Sequence, residues 1–384
     1  MDFINYHFNI EAIILLSSIG LLVLIEAIYY MVVFSKVAFY NEIPKKERNL
    51  NSLPSVSVVI VAKNDRYNLE KILPIILEQE YPNFEVVVVN DSSKDKSEAV
   101  LRVFQEVYPH LNVVNLYDNV NKFLGKKYPL SLGIKTAKND LILLIEPSSR
   151  PSSYKWISSM VRGYEGKRKQ IILGFTKNET KKGFISWLIS YDNLTSALNY
   201  LGNALISNPY TGYGTNLAYS RDLFFKNNGF IWQYTIPVGE DEIFVNKLAN
   251  SNNCSVIIDK DAINIKNYEE GLSQMILNKK KHYVCLSYFK FKDKFISSII
   301  PFSTFLIYIL FFVGLLITKI PWQYLVLPLI VKYSLQITMY FISSKKLQIK
   351  QIAFFTPFLE IFFLFFNTII HISALSTKKK QWKY

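Results

Sequence analysis

The sequence predicts an α/β fold: a mixed sheet with flanking helices, joined to about four transmembrane helices. Three observations carry that expectation. Between residues 54 and 268, apolar β-branched runs alternate with helical stretches, the order expected of strands and crossover helices in one sheet. Two of those runs, 56–61 and 84–89, stop at polar turns containing Asp65 and Asp91, and open α/β sheets bind ligands outside the carboxyl ends of their strands. Four further stretches, 12–34, 296–318, 322–342 and 352–373, are apolar throughout most of their length, each near the roughly 20 residues that cross a bilayer as helix.

The strands are predicted at 56–62, 84–90, 112–117, 141–146, 171–176 and 215–220, with the clearest helices at 69–80 and 96–107. The domain plan is an anchor at 12–34, a cytosolic α/β domain at 54–268, a basic amphipathic interface helix at 269–294 and a membrane domain of about three helical segments at 296–373. A polar linker, 41–53, joins anchor to domain. Residues 184–206 mix large apolar and polar groups at helical spacing, which fits either a membrane-surface helix or a core helix.

Of 384 residues, half are apolar, and the net charge is +14. The spans assign that charge to anionic lipid rather than nucleic acid, because Lys and Arg collect on the cytoplasmic side of membrane helices. The segment before the first span lacks a basic stretch and a small-residue cleavage site, so that span reads as a retained anchor. Lys36, Lys45, Lys46 and Arg48 follow it, which orients the middle domain to the cytoplasm of a bacterial inner membrane. Lys345, Lys346 and Lys350 agree. Lys378, Lys379, Lys380 and Lys383 do not; either the last segment is re-entrant or the charge rule fails there. Four spans leave little room for a transporter's path. The two cysteines, Cys254 and Cys285, have no metal-site spacing. Charges inside membrane helices are costly and usually paired, and Lys332 and Glu360 are expected to pair across adjacent antiparallel spans, with Glu26 a third charge at depth.

Four blocks carry candidate chemistry. Asp65 and Asp91 stand at strand ends, where a carboxylate accepts hydrogen bonds from a ribose or base; capping the next helix is the plainer role. Residues 121–151 hold Gly125, Lys126 and Lys127, and then Glu146-Pro147-Ser148 after a strand. Residues 209–230 hold Gly212, Gly214 and Asn216, where the glycines allow close backbone approach. Residues 238–249 hold Glu240, Asp241 and Glu242 at a helix start, where acidic groups also favour the helix dipole. A fifth motif, Asn278-Lys279-Lys280-Lys281-His282, lies on the basic helix.

In this order and spacing the blocks resemble membrane-bound family 2 glycosyltransferases of the polysaccharide and lipid-glycan type, whose fold is GT-A, a Rossmann-like mixed sheet. The resemblance covers about residues 54–290. It implies that a nucleotide sugar is bound by Asp65, Asp91, Lys126, Lys127, Glu146, Gly212, Gly214, Asn216, Asn278, Lys281 and His282. It implies that Asp241, beside Glu240, deprotonates the acceptor hydroxyl. Glu242 reads as helix surface. In the family a strand ends in Asp-x-Asp, which holds a divalent cation on the diphosphate. Here Glu146 and Ser148 stand at those positions, leaving Glu146 as the one candidate ligand for Mg²⁺ or Mn²⁺. The family's Gln-x-x-Arg-Trp is matched by Asn278, Lys281 and His282, and Lys lacks the guanidinium fork. The implied activity is inverting transfer of a sugar to a lipid-linked or cell-surface glycan acceptor at the cytoplasmic face. The alternative is a homologue impaired in catalysis that serves as a binding or assembly partner.

Overall fold

The computed structural model describes residues 9–42, 53–117, 125–180, 183–268, 271–316 and 320–376. Lys45, Lys46, Arg48 and the tail lysines fall outside the described residues, as does the start of the predicted interface helix.

A first helix, α1 (Ile10–Ala38), contains one π-turn at Tyr30–Phe34. The chain then enters β1 (Val56–Ala62), buried at every position. Such a run without alternation is what a strand covered on both faces requires. There follow α2 (Arg66–Leu77), β2 (Phe84–Asp91), α3 (Ser97–Val107), β3 (Leu111–Leu116), α4 (Lys127–Thr136), β4 (Leu141–Leu144), β5 (Ser149–Pro151), α5 (Trp156–Met160), β6 (Ile171–Leu173) and β7 (Thr176–Glu179). The domain closes with α6 (Phe184–Leu205), β8 (Leu217–Ser220), α7 (Arg221–Lys226), α8 (Glu240–Leu248), β9 (Cys254–Val256) and β10 (Asn264–Asn267). Beyond it lie α9 (Leu272–Leu286), α10 (Phe291–Leu316), α11 (Trp322–Lys346) and α12 (Thr356–Leu375).

The main sheet has the order β3-β2-β1-β4-β8-β6-β9, and β5-β10-β7 form a second, smaller sheet. β1 pairs in parallel with both β2 and β4, so successive strands leave it in opposite directions. That switch point opens a crevice at the carboxyl edge. β8 runs antiparallel to β4 with Leu217 opposite Leu144, which brings the loop before β8 to the same edge. The expected mixed α/β sheet with flanking helices and four span-length helices is therefore present.

The predicted interface helix, 269–294, is two helices rather than one. The break has a cause: Asn246 accepts from the Lys290 amide at 3.0 Å and donates to Asp293 at 2.8 Å, pinning the turn to α8. Of the two readings of residues 184–206, the core helix is the one α6 shows. Its middle is buried. At Gly202 it meets α1 so closely that a Cβ would lie 2.7 Å from the Val33 carbonyl oxygen, and Asn203 donates to the Tyr29 hydroxyl at 2.9 Å. Its first residues, Phe184 and Ile185, are exposed.

α1, α10, α11 and the segment Ala353–Leu375 are long and apolar enough to cross a membrane. α1 packs on α10 and α11 through Leu15, Ile19, Val23, Ile307 and Leu325. Inside this bundle Lys332 lies 2.8 Å from Glu360 and 3.2 Å from Glu26. The expected Lys332–Glu360 pair is therefore formed, and Glu26 completes a cluster of three.

Candidate active site

A cavity of ≈ 260 Å³ opens at the carboxyl edge of the sheet. Glu146 and Lys126 line one wall, with Lys266 of β10 beside them; Gly214, Glu240 and Asp241 line another, and α9 roofs it with Asn278, Lys279, Lys281 and His282.

Glu146 follows β4 by two residues. It is held between two ammonium groups, Lys126 at 3.0 Å and Lys266 at 2.6 Å. Loss of water would raise its pKa, but the two lysines outweigh that and hold it well below the usual carboxylate range. The backbone that delivers Lys126 depends on Gly125, whose φ is +80° and whose Cβ would meet the Pro237 carbonyl oxygen at 2.7 Å.

Asp241 is the second pole of the site. Its Oδ1 is buried with no hydrogen-bond partner among the described residues. Burial, then the charges of Glu240 and Glu146, push its carboxyl well above the ordinary value. A carboxylate poised high and lacking a fixed partner is suited to take a proton. Gly214 makes room for it, since a Cβ there would lie 2.0 Å from Asp241 Oδ2. Gly214→Ala is thus expected to displace the carboxylate and lower turnover by about 100-fold, as small misplacements of reacting groups do. Donor affinity and the circular dichroism spectrum should not change; an active Gly214→Ala would separate Asp241 from the chemistry.

The roof is tied down by one ion pair and two hydrogen bonds. Lys279 reaches Asp192 of α6 at 2.5 Å. Asn278 donates to the Tyr268 hydroxyl at 2.6 Å. His282 Nδ1 lies 2.5 Å from Glu242. Glu242 is therefore not helix surface, as its sequence position suggested, but a strut between α8 and α9. Lys281 lines the cavity, and no hydrogen bond or salt bridge engages its ammonium among the described residues; burial and then the neighbouring Lys126 lower its pKa.

Several expected ligand residues face elsewhere. Asn216 is buried and its amide is consumed: it donates to the carbonyls of Phe175 and Ala262 and accepts from the Trp156 indole at 3.1 Å. Lys127 is fully buried and donates to the Ile236 and Val238 carbonyls, with Glu240 at 3.8 Å. Gly212 packs against Leu173, Val245 and Leu217 in the core. In each case a buried polar group or a close packing contact had to be satisfied within the protein. Asp65 and Asp91 do stand at the carboxyl edge, but neither lines the cavity. Asp91 lies 3.4 Å from Lys63, and Asp65 holds the Lys63 amide and Asn68 at the start of α2.

Residues 57–226 match the model of glycosyl transferase family 2. The chain carries a family 2 glycosyltransferase domain of GT-A fold, attached to membrane-length helices. Among curated relatives, it is 30% identical over 117 residues to "Probable glycosyltransferase YdaM" of Bacillus subtilis, covering 30% of this chain and 28% of that protein. It is 28% identical over 124 residues to beta-monoglucosyldiacylglycerol synthase of Trichormus variabilis, covering 32% of this chain and 25% of that one. The matched stretches thus span under a third of these relatives' length. Among solved structures, the mannosyltransferase PcManGT from Pyrobaculum calidifontis, in complex with GDP-Man and Mn²⁺, superposes over 87% of this chain and 99% of that one with a TM-score of 0.58 at 15% identity. That likeness is one of fold.

The expected divalent cation would sit at Glu146, and the residues there do not fit it. Both carboxylate oxygens already hold ammonium groups. Ser148 supplies only a hydroxyl where a second carboxylate is expected. Among the described residues no cluster of three His, Cys, Asp or Glu side chains gathers to bind a metal.

Proposed function

We propose that this protein is an inverting glycosyltransferase that moves a sugar from a nucleotide-sugar donor to a lipid-linked or cell-surface glycan acceptor at the cytoplasmic face of the membrane. The observation that carries the reading is the two-sided cavity, with a cationic wall at Lys126, Lys266 and Lys281 and a single raised carboxyl, Asp241, across from it. A departing diphosphate needs positive charge. An acceptor hydroxyl attacking from the opposite side needs one base, and one base with one displacement inverts the anomeric centre.

A membrane acceptor is supported by α9, the cavity's roof. Its Tyr283 stacks on His371 of α12 with ring centroids 4.7 Å apart, and Lys279 lies 5.3 Å from the Phe363 ring. The same contacts favour the re-entrant reading of the last segment, since His371, near its end, meets the helix that roofs the cavity. One relative is named for a glycolipid product, which agrees with a lipid acceptor.

The test uses the full chain in nanodiscs with radiolabelled UDP- and GDP-sugars and an extract of membrane lipid. Transfer of label, with the anomeric configuration inverted by NMR, is the expected result. Retained configuration would overturn the single-base mechanism. Donor binding without transfer to any acceptor would favour the impaired binding partner, the reading that Ser148, two residues after Glu146, also suits.

A further inference from the structure

We propose that the ammonium groups of Lys126, Lys266 and Lys281 replace a divalent cation toward the donor's diphosphate, so that nucleotide-sugar binding and diphosphate departure need no metal. This rests on the glycosyltransferase reading above and goes beyond it.

Three facts converge. First, the only carboxylate at the expected metal position, Glu146, is saturated by Lys126 and Lys266. A hard cation approaching it would have to displace both and then sit beside them, against their repulsion. Second, Lys281 reaches the same cavity from α9, and among the described residues no carboxylate pairs with it. Third, the nearby acidic group Glu240 has its own counter-charge in Lys127 at 3.8 Å. Around Glu146 the ammonium groups outnumber the carboxylate, so this part of the cavity carries the positive sign a divalent ion would bring. The lysines come from a helix start, a strand of the small sheet and the roof helix, so three separate elements bring them to one cavity. Glu146 then competes with the diphosphate for Lys126 and Lys266, which it pairs with while the site is empty.

In the transfer step, the bond between the anomeric carbon and the diphosphate oxygen breaks, and its electron pair stays on that oxygen. The acceptor oxygen bonds to the anomeric carbon, and its proton passes to Asp241. The lysines take the charge that builds on the leaving diphosphate. Ammonium groups do this without coordination geometry, which suits a cavity that offers hydrogen-bond donors rather than ligand oxygens.

Calorimetry on the full chain in detergent, titrated with UDP, GDP, CDP and ADP in EDTA and again in Mn²⁺, separates the possibilities. At least one diphosphate should bind, with Kd agreeing within about twofold between the buffers. Lys266→Gln and Lys281→Gln should each weaken binding about tenfold in EDTA, the effect of removing one charge-assisted hydrogen bond. Glu146→Gln should bind at least as tightly as the parent, because it releases two ammonium groups; a metal ligand would instead lose about tenfold or more. Binding that appears only with Mn²⁺, or a Glu146→Gln that fails in Mn²⁺, overturns this inference and leaves the glycosyltransferase reading standing. No binding in either buffer overturns both. The two-buffer comparison uses the unaltered protein, so a variant that misfolds does not hide the answer.

Discussion

Asp241→Asn is expected to lower turnover by about 10²–10⁴-fold, the contribution of one positioned general base, while donor affinity holds. The substitution keeps shape and removes only the proton acceptor, so a loss confined to kcat marks a group used in the transition state. The pH dependence gives an independent check. Burial and the adjacent Glu240 hold the Asp241 carboxyl well above its ordinary value. The base works only when ionised, so turnover should rise with pH, with its midpoint above the usual carboxylate range. Stability should move the other way. A folded-state pKa raised above the unfolded one contributes stability that is full below the unfolded value and is lost as pH rises through the folded value. Asn mimics the protonated acid, so Asp241→Asn should match the parent in acid and be the more thermostable of the two at neutral and higher pH. Equal turnover in the variant, or a stability gap that does not grow with pH, would remove Asp241 from the base's role.

How legible the molecule was from its sequence depended on which physical constraint each residue obeys. β1 and β2 were readable because burial on both faces demands continuous β-branched side chains. The run 171–176 looked like one strand but is two: β6 ends at Leu173 in the main sheet, and β7 begins at Thr176 in the small one. Nothing in apolar content marks a change of sheet. β5, β9 and β10 have three or four residues each, too short to show a period. The same limit hid Lys266. It reaches Glu146 from 120 residues away in sequence, on a strand that no pattern announced. Lys281 was found because its spacing along a helix matched a motif. Asn216 and Lys127 misled for the opposite reason: polar residues beside glycines resemble ligand groups, yet these two satisfy buried backbone carbonyls that the loops leave open. Glu242 was assigned to a surface that α9 in fact covers, and its partner His282 lies 40 residues further on.

Lys332→Met should be the most destabilising single change in the membrane helices, by about 3–5 kcal/mol, the cost of removing one member of a buried ion pair. The reason lies in what it strands. Among the described residues Lys332 is the one cation between Glu26 and Glu360, at 3.2 and 2.8 Å. The carboxylates keep other donors, Thr304 and Tyr30 on Glu26 and Gln336 and Tyr333 on Glu360, but none carries charge. Four helices supply these groups, so the cluster fixes how α1, α10, α11 and α12 meet. Neutralising the whole cluster, with Glu26→Gln and Glu360→Gln added to Lys332→Met, should recover most of the loss, because amides of the same shape need no counter-ion. Denaturation of the three proteins in the same detergent measures this. The effect should also reach the active site. Tyr29, one turn beyond Glu26, is bonded to Asn199 and Asn203 of α6, and α6 carries the Asp192 that anchors Lys279 in the roof. Lys332→Met is therefore expected to weaken nucleotide binding along with stability, and the triple variant to restore both. A Lys332→Met protein as stable as its parent would mean that the two carboxylates share a proton and never needed the lysine.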